Sequence, residues 1–324
     1  MPVEILRDAR AVAIAFDSHI FASPAYLSAR SGDYGWVADA KFTLPFYLER
    51  IAGVRRLVFT SGPVAQDTQG MQEFLDLAVQ TIRKAKLCDF IAKPQSSAIF
   101  PCAPTQSISA PWGTYEVRLN ISDEDILRGF HEKHRNVIRK SIRDGVAIRP
   151  LESVRAAHSC IRDTLRRQGL RYYPSELLLQ KLENNLSGRI ISFGAFHDGA
   201  LQGVAVVPYD RNTGYYLYGG SVASPHGGSL NLLQFEIMRE LRNRGVQRYD
   251  LFGARIGVKP GTKYEGIQRF KARFGGELRV GRTFRIVFSP VRYALFNRLA
   301  DLRMRLEGKR YVDPLNQLTR GDYE

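Results

Sequence analysis

A lysine on a short amphipathic helix is the residue whose position most directly indicates chemistry. The run Thr262-Lys-Tyr-Glu265 is a capping box, so a helix is predicted from about Lys263 to Phe274, ending at Gly275-Gly276. The face that carries Lys271 also holds Tyr264, Ile267, Phe270 and Phe274. An ammonium among apolar side chains must reach solvent, pair with a carboxylate, or face a cleft where a substrate supplies negative charge. The last alternative makes Lys271 a candidate catalytic cation.

Other polar residues occur where a cleft is expected. Tyr216 and Tyr218 share one face of a strand predicted over 214–220, so they either point into the cleft or pack in the core. Asp250 ends a strand predicted over 248–252, which is the usual ligand end of an α/β sheet, and capping of the next loop is its alternative role. His131 and His134 lack the zinc-binding HExxH spacing, so we expect them on a helix surface and predict no metal site.

Both parts of the chain are predicted to be mixed α/β, so we expect an α/β fold with mixed sheets. Up to residue 145, a helix over 71–86 accompanies predicted strands at 36–40, 42–48, 56–60, 90–93 and 115–120. Beyond it, helices over 154–168, 174–186 and 230–244 accompany strands at 189–196, 201–208, 214–220 and 248–252. A basic helix predicted over 122–144 joins the two parts and ends at Gly145. We place the domain boundary there, giving domains 1–145 and 146–324.

Positive charge is concentrated in one block of the sequence. The 324 residues include 47 Lys and Arg against 32 Asp and Glu, a formal net charge of +15, and residues 239–310 hold 19 of these bases but only 6 of the acids. Such a block attracts polyanions, although a basic surface also serves solubility. Cys88, Cys102 and Cys160 stand far apart, and no signal peptide or membrane span is evident, so we expect a cytoplasmic protein.

Two segments near the C-terminus resemble a known family. Tyr249-Asp-Leu-Phe-Gly-Ala254 is followed by Gly266-Ile-Gln-Arg-Phe-Lys-Ala-Arg-Phe-Gly-Gly-Glu277. This pattern resembles the C-terminal signature of the Fem family, the tRNA-dependent amino-acid ligases of peptidoglycan cross-bridges. Weaker likeness extends over roughly residues 20–300. The resemblance implies two tandem GNAT-like acyltransferase domains, and it is shared with the looser BioF2-like acetyltransferase group.

The activity implied by the resemblance is transfer of an amino acid from aminoacyl-tRNA to an amine of a peptide-like acceptor, forming an amide bond. The acceptor would be a peptidoglycan precursor or a peptide natural product. The Phe270-Lys271 pair matches the family's active-site pair, and the lysine would stabilise the negative charge that develops on the ester carbonyl oxygen. No bound cofactor is implied, because aminoacyl-tRNA is a co-substrate.

The resemblance and the residue patterns together suggest which side chains bind the acceptor and the tRNA. Arg171 and Tyr173 match a basic-aromatic stretch that holds a phosphate-bearing acceptor, and Tyr216, Tyr218 and Lys41 are further candidates for acceptor binding. The basic block supplies candidate tRNA-binding residues, which are Arg255, Lys259, Lys263, Arg269, Arg273 and Arg279.

An acyl-CoA-dependent N-acetyltransferase of surface polysaccharide biosynthesis is the alternative. GNAT enzymes that use acetyl-CoA hold its pyrophosphate on backbone N–H groups at a helix N-terminus, through a Gln/Arg-x-x-Gly-x-Gly/Ala loop. Here the loop before the helix over 230–244 reads Ser224-Pro-His-Gly-Gly-Ser229, which departs from that pattern at both ends. The departure and the charge block together favour aminoacyl-tRNA, while an ordinary turn at Gly227-Gly228 is an equally good explanation of the glycines.

The last predicted helix, over 291–307, suggests one further partner. It carries Leu295, Leu299, Leu302 and Leu306 together with several arginines, a pattern typical of basic amphipathic surface helices. Peripheral contact with the inner membrane surface is therefore one expectation, and packing on the protein's own core is the other. A membrane-associated scaffold is the non-catalytic hypothesis that this helix motivates.

Overall fold

The computed structural model describes residues 2–12, 19–170, 173–306, 308 and 310–320. In chain order the strands are β1 (Glu4–Leu6), β2 (Tyr34–Ala38), β3 (Thr43–Ile51), β4 (Val54–Phe59), β5 (Phe90–Ile91), β6 (Ile108–Arg118), β7 (Ala147–Pro150), β8 (Ile190–His197), β9 (Ala200–Pro208), β10 (Thr213–Tyr215), β11 (Tyr218–Ser221), β12 (Arg248–Asp250), β13 (Ala254–Arg255) and β14 (Glu277–Val287). The helices are α1 (Pro24–Arg30), α2 (Met71–Lys84), α3 (Asp123–Gly129), α4 (Glu132–Arg143), α5 (Val154–Arg167), α6 (Glu176–Asn185), α7 (Ser229–Asn243), α8 (Lys263–Ala272), α9 (Pro290–Arg305) and α10 (Pro314–Arg320).

The strands form two mixed sheets, which confirms the predicted fold class. The large sheet has the order β1-β2-β3-β4-β5-β14-β6-β12-β10, with β13 also paired to β6, and the small sheet has the order β11-β9-β8-β7. The long strand β14 lies between β5 and β6 and is antiparallel to both, so strands from both parts of the chain share one sheet. The domain boundary at residue 145 stays a prediction.

One strand predicted over 214–220 is in fact two strands in different sheets. Tyr215, in β10, pairs in parallel register with Asp250 of β12, whereas Tyr218, in β11, pairs with Val206 of β9. The chain changes sheet at Tyr216 and Leu217, so β12 loses its parallel neighbour immediately after Asp250. Period-2 patterning could not reveal this change, because both strands keep the same alternation.

The helix predicted over 122–144 is also interrupted. It ends at Phe130, whose backbone is extended with φ −71° and ψ 147°, and the chain starts again as α4 with His131 as its N-cap. The buried ring of Phe130 packs against Phe235 and Phe274, and the His131 N–H donates to the carbonyl of Arg273. Tertiary packing thus overrides a continuous helical pattern.

The prediction that both histidines lie on the helix surface is wrong for His134. Its side chain is buried against the rings of Phe270 and Phe274. Burial, aided by the nearby charge of Arg273, lowers the pKa of His134 to about 4, so it is neutral at pH 7. This histidine is a packing residue that joins α4 to α8.

An apolar cluster joins the two parts of the chain. Phe21, Tyr26 and Trp36 from the first part pack with Ile161 and Leu217 from the second, all of them largely or fully buried. Two further clusters lie beneath α2 and around α7. Burial of aromatic and aliphatic side chains is the main favourable term in folding, so this shared cluster fixes the two parts relative to each other.

The glycines of the loop before α7 provide a test of this packing. Gly228 has φ +87°, and a Cβ there would lie 2.4 Å from the Val137 carbonyl of α4, whereas a Cβ at Gly227 would meet nothing within 4 Å. We expect Gly228→Ala to lower the free energy of unfolding by about 2 kcal/mol or more, through backbone strain and displacement of α4. Gly227→Ala, the matched control, should change it by less than about 0.5 kcal/mol.

Urea unfolding of both variants checks this prediction. Equal stability of the two variants would show that α4 does not press on the loop.

Candidate active site

The candidate site lies where the parallel strands β10 and β12 separate. The Tyr216 N–H donates to the Asp250 carbonyl at 2.9 Å, and the Leu251 N–H then donates to Tyr115 of β6. From this point the chain that follows β12 stays with β6, while the chain that follows β10 joins the small sheet. The carboxyl ends of parallel strands that diverge leave a crevice for ligands in α/β proteins.

The side chain of Asp250 organises the loop that leaves this point. Its Oδ1 accepts hydrogen bonds from the Thr114 hydroxyl at 2.5 Å and from the Phe252 N–H at 2.6 Å. Burial raises the pKa of Asp250 to about 6, although the two hydrogen bonds oppose that shift. Asp250 therefore caps the loop that follows it, which is the alternative role predicted from the sequence. At pH 7 it also places a buried negative charge next to this loop.

The loop itself has a strained backbone. Phe252 has φ 61° and Gly253 has φ 77°, so two successive residues are left-handed. A bulky residue in this region costs of order 1–3 kcal/mol and persists only where its surroundings enforce it. A Cβ at Gly253 would lie 2.9 Å from the Trp112 ring, so only glycine fits there. The strain turns two successive carbonyl groups toward helix α8.

Lys271 of α8 receives those carbonyl groups. Its Nζ donates to the carbonyl oxygens of Phe252 and Gly253, each at 2.7 Å. Desolvation lowers the pKa of Lys271 to about 8, and the charge of Asp250 opposes this shift. An ammonium has three N–H donors, and the described residues offer no partner for the third. The arrangement presents one N–H of a fixed, largely buried cation for a further acceptor.

A second amine lies over the Trp112 ring. Lys93, which follows β5, places its Nζ 4.0 Å from the centre of the Trp112 ring, and its hydrogen bond is to the Pro94 carbonyl at 3.3 Å. Burial, with the nearby charge of Arg255, lowers the pKa of Lys93 to about 7. Since Trp112 also contacts Gly253, the indole lies between Lys93 and the loop that binds Lys271.

A third cation lies where the two parts of the chain meet. Arg30, at the end of α1, donates to the hydroxyl oxygens of Tyr218 at 3.0 Å and Tyr47 at 2.8 Å. Its Nε is buried without a hydrogen-bond partner, and no carboxylate among the described residues pairs with it. A largely buried guanidinium that lacks a counter-ion is suited to bind an anionic ligand.

The remaining candidates for acceptor binding are dispersed. Tyr216 is largely buried and its ring covers Gly219, while Tyr173 lies near Arg166 and His158. Arg171 lies outside the described residues. Lys41 lies at the β2–β3 turn, where its Nζ pairs with Asp67 at 2.7 Å and donates to the Gln69 carbonyl. Of these candidates Tyr218 contacts a cationic side chain, which is Arg30 and not Lys271.

Phe270 and Lys271, the two residues of the Phe-Lys pair, have different environments. Phe270 packs against His134 and Phe274, on the core side of α8, while Lys271 faces the strained loop. Phe274 is fully buried and also contacts Phe130. The described contacts of Phe270 fix the position of α8, and through it the position of Lys271.

Several candidate tRNA-binding residues are already engaged with protein groups. Arg269 pairs with Glu265 at 3.4 Å and Arg279 with Glu116 at 2.7 Å, both as partly exposed ion pairs. Arg255 stacks 3.8 Å above the Tyr264 ring. Lys259 is exposed, Arg273 is half-buried, and the side chain of Lys263 lies outside the described residues. Of these two pairs, Arg269–Glu265 lies within the basic block, and Arg279–Glu116 neutralises the block with an acid from another segment.

Neither a metal site nor an open pyrophosphate cradle is found among the described residues. No group of three or more His, Cys, Asp or Glu residues there could hold a metal ion. In the loop before α7, Ser141 donates to the Gly227 carbonyl, the His226 ring lies 2.8 Å from Asp144, and the glycine requirement at Gly228 comes from contact with α4. These contacts make the loop a poor match to a site for CoA pyrophosphate.

Sequence reasoning missed Arg30 and Lys93. A usable signal existed for Arg30, because it shares a helix face with Tyr26 and Leu27, as Lys271 does with its apolar neighbours. Lys93 had no such signal. It follows a strand of two residues, and its environment depends on Trp112, 19 positions later in the sequence.

Comparison with known proteins bears on the fold and on the enzyme class. Residues 116–271 match the model of the acetyltransferase (GNAT) domain. FemX has a similar structure at 12% identity, with a TM-score of 0.63 over 88% of this chain and 98% of FemX. L-PGS from Bacillus licheniformis aligns at 16% identity over 85% of this chain and 91% of that protein, with a TM-score of 0.51.

A conserved protein of unknown function from Bacteroides thetaiotaomicron aligns at 11% identity over 81% of this chain and 89% of its own, with a TM-score of 0.52. No curated protein matches the sequence significantly. At these identities the structural neighbours show the fold, and the domain model supplies the enzyme class. This chain is therefore an acyltransferase that carries a GNAT domain over residues 116–271 within a fold similar to that of FemX.

Proposed function

We propose that this protein transfers an amino acid from aminoacyl-tRNA to an amine of a peptide-like acceptor. The observation that carries the proposal is the Lys271 ammonium, which the carbonyls of Phe252 and Gly253 hold just beyond the end of β12 and whose third N–H has no partner among the described residues. The likeness of the Phe270-Lys271 segment to the Fem signature, and the fold shared with FemX, support the same reaction.

In the proposed reaction the acceptor amine attacks the ester carbonyl that joins the amino acid to the terminal ribose of tRNA. A C–N bond forms, the C–O bond to ribose breaks, and the proton lost by the amine ends on the departing ribose hydroxyl. Negative charge develops on the carbonyl oxygen in between, where the third N–H of Lys271 stabilises it. Because the carbonyls of Phe252 and Gly253 fix the ammonium beforehand, little reorganisation is needed during reaction.

Arg30 supports an acceptor that carries an anion. Its guanidinium lacks a carboxylate partner, and the hydroxyl of Tyr218 links it to the strand that leaves the crevice. A phosphate or carboxylate bound to Arg30 would place the acceptor across the junction of the two parts of the chain. The proposed acceptor is accordingly a peptide-like molecule that carries a phosphate or carboxylate.

An acyl-CoA-dependent N-acetyltransferase is the second candidate, because the matched domain model describes acetyltransferases and Gly227 has open space around it. Against it stand the contacts of Gly228 with α4 and the pairing of His226 with Asp144, both within the loop that would hold pyrophosphate. These contacts make aminoacyl-tRNA the favoured donor.

Replacement of the lysine tests the chemical step. Lys271→Met keeps a long apolar stem and removes the cation, so the single-turnover rate of transfer from charged tRNA should fall by about 100-fold or more. Lys271→Arg should restore part of the rate, since a planar guanidinium places its charge differently. Lys84→Met, on the exposed surface of α2, is the matched control. A Lys271→Met rate within about threefold of wild type, at unchanged tRNA affinity, would refute this role.

The pH dependence of that rate should report the charge of Asp250. Since an ammonium is required and the pKa of Lys271 is about 8, the rate should decline as pH rises through 8. Asp250→Asn keeps an Oδ1 acceptor for Thr114 and Phe252 but removes the charge that raises this pKa, so the decline should move to lower pH. Glu277→Gln removes a distant exposed carboxylate and should leave the profile unchanged. A shift to higher pH in Asp250→Asn would contradict the assignment.

Binding measurements distinguish the two donors. Filter binding with mixed charged tRNA should show retention, with log K falling against log salt by about 0.7–0.9 per neutralised phosphate, and isothermal titration should show no binding of acetyl-CoA. Arg269→Gln/Arg273→Gln/Arg279→Gln should reduce the slope, whereas Arg50→Gln/Lys84→Gln/Lys86→Gln, which also removes three charges, should not. Micromolar binding of acetyl-CoA without tRNA retention would favour the acetyltransferase.

A further inference from the structure

Helix α9 buries one face and leaves an apolar stripe uncovered on another. Phe296 is buried against Phe90 of β5, which fixes the helix to the large sheet. On the outer side the exposed side chains form a single row at spacings of three and four, and they are Val291 (81% exposed), Leu295 (45%), Leu299 (38%), Leu302 (59%) and Leu306 (82%). At 1.5 Å per residue this row is about 22 Å long, so it is a continuous apolar patch and differs from the isolated leucines common on protein surfaces.

Arginines flank this row, which we call the outer stripe of α9. By helical angle Arg292 and Arg303 lie on one side of it, and Arg298 and Arg305 on the other, and all four are exposed. Arg298 and Arg303 make no ion pair among the described residues. Asp301, the one acidic residue of α9, lies away from the stripe and accepts from Arg305 and the Tyr311 N–H.

The arrangement of leucines and arginines on α9 fits one kind of binding partner. Arg292 pairs with Asp89 and Arg305 with Asp301, which leaves, within the described part of the chain, one arginine without an ion pair on each side of the stripe. A row of aliphatic side chains between such arginines matches the boundary of an anionic bilayer, where the leucines enter the acyl region and the guanidinium groups remain among the phosphates. A nucleic acid would use the arginines but not the leucines, and a second copy of the chain would bring its own arginines to the same face. No helix among the described residues is long and apolar enough to span a membrane.

We propose that the outer stripe of α9 docks this protein on the surface of a membrane that contains anionic lipid. This docking is independent of the proposed transfer reaction.

Cosedimentation of the full chain with vesicles tests the proposal. We expect binding to vesicles of phosphatidylglycerol and phosphatidylcholine in equal amounts, little binding to phosphatidylcholine alone, and weaker binding as salt is raised. Leu295→Ser/Leu302→Ser should weaken partitioning by about tenfold or more. Arg298→Gln/Arg303→Gln should weaken it by about tenfold on the mixed vesicles.

The control is Leu177→Ser, which removes a leucine that is 65% exposed on α6 and should leave partitioning unchanged. Because all of these side chains are exposed, the melting temperature of each variant should stay close to that of wild type. The proposal fails if wild type ignores anionic vesicles, or if Leu295→Ser/Leu302→Ser binds them like wild type. It also fails if sedimentation shows a dimer that this double variant dissociates, since the stripe would then be an interface between copies.

Discussion

The pairing of the Lys271 ammonium with the carbonyls of Phe252 and Gly253 is the interaction on which the site depends. An ammonium removed from water must have hydrogen-bond acceptors for its N–H groups, or it loses its proton. Hydrogen bonds to a charged group are worth about 1.5–3 kcal/mol each. The strained turn at Phe252 provides two acceptors in one direction, and Asp250 holds that turn while adding a buried negative charge. The strained loop therefore supplies the acceptors that a buried ammonium needs, and the hydrogen bonds of the ammonium help to hold the loop in its strained conformation.

The sheet architecture creates the place for this interaction. If the chain after Tyr215 continued beside β12, the crevice would be filled by a strand; instead it crosses to β9 at Tyr216 and Leu217. The apolar cluster that contains Phe21 and Leu217 then fixes the first part of the chain against the diverging strands, and Arg30 is carried to Tyr218. The three basic side chains described above, Lys271, Lys93 and Arg30, thus come from three different segments.

The elements that sequence predicted well are those with strong local patterns. Helix α8 and its Thr262 cap follow from spacing alone, as does α7. Long-range packing decided the rest. The break at Phe130 depends on contacts with Phe235 and Phe274, and the division of the strand over 214–220 depends on which partner strand is available. The environment of Lys93 depends on Trp112, which is distant in sequence, whereas Arg30 shares a local helix face with Tyr26 and Leu27.

The most direct test of the account is the pKa of the Lys271 ammonium in the folded protein. Nitrogen-15 NMR of protein labelled at lysine Nζ, with the resonance assigned through its loss in Lys271→Arg, follows this group through a pH titration. Burial of the ammonium, which the charge of Asp250 offsets only in part, predicts a midpoint at about 8. A midpoint near the ordinary lysine value of about 10.4 would mean that the ammonium reaches solvent and would contradict a buried, preorganised cation.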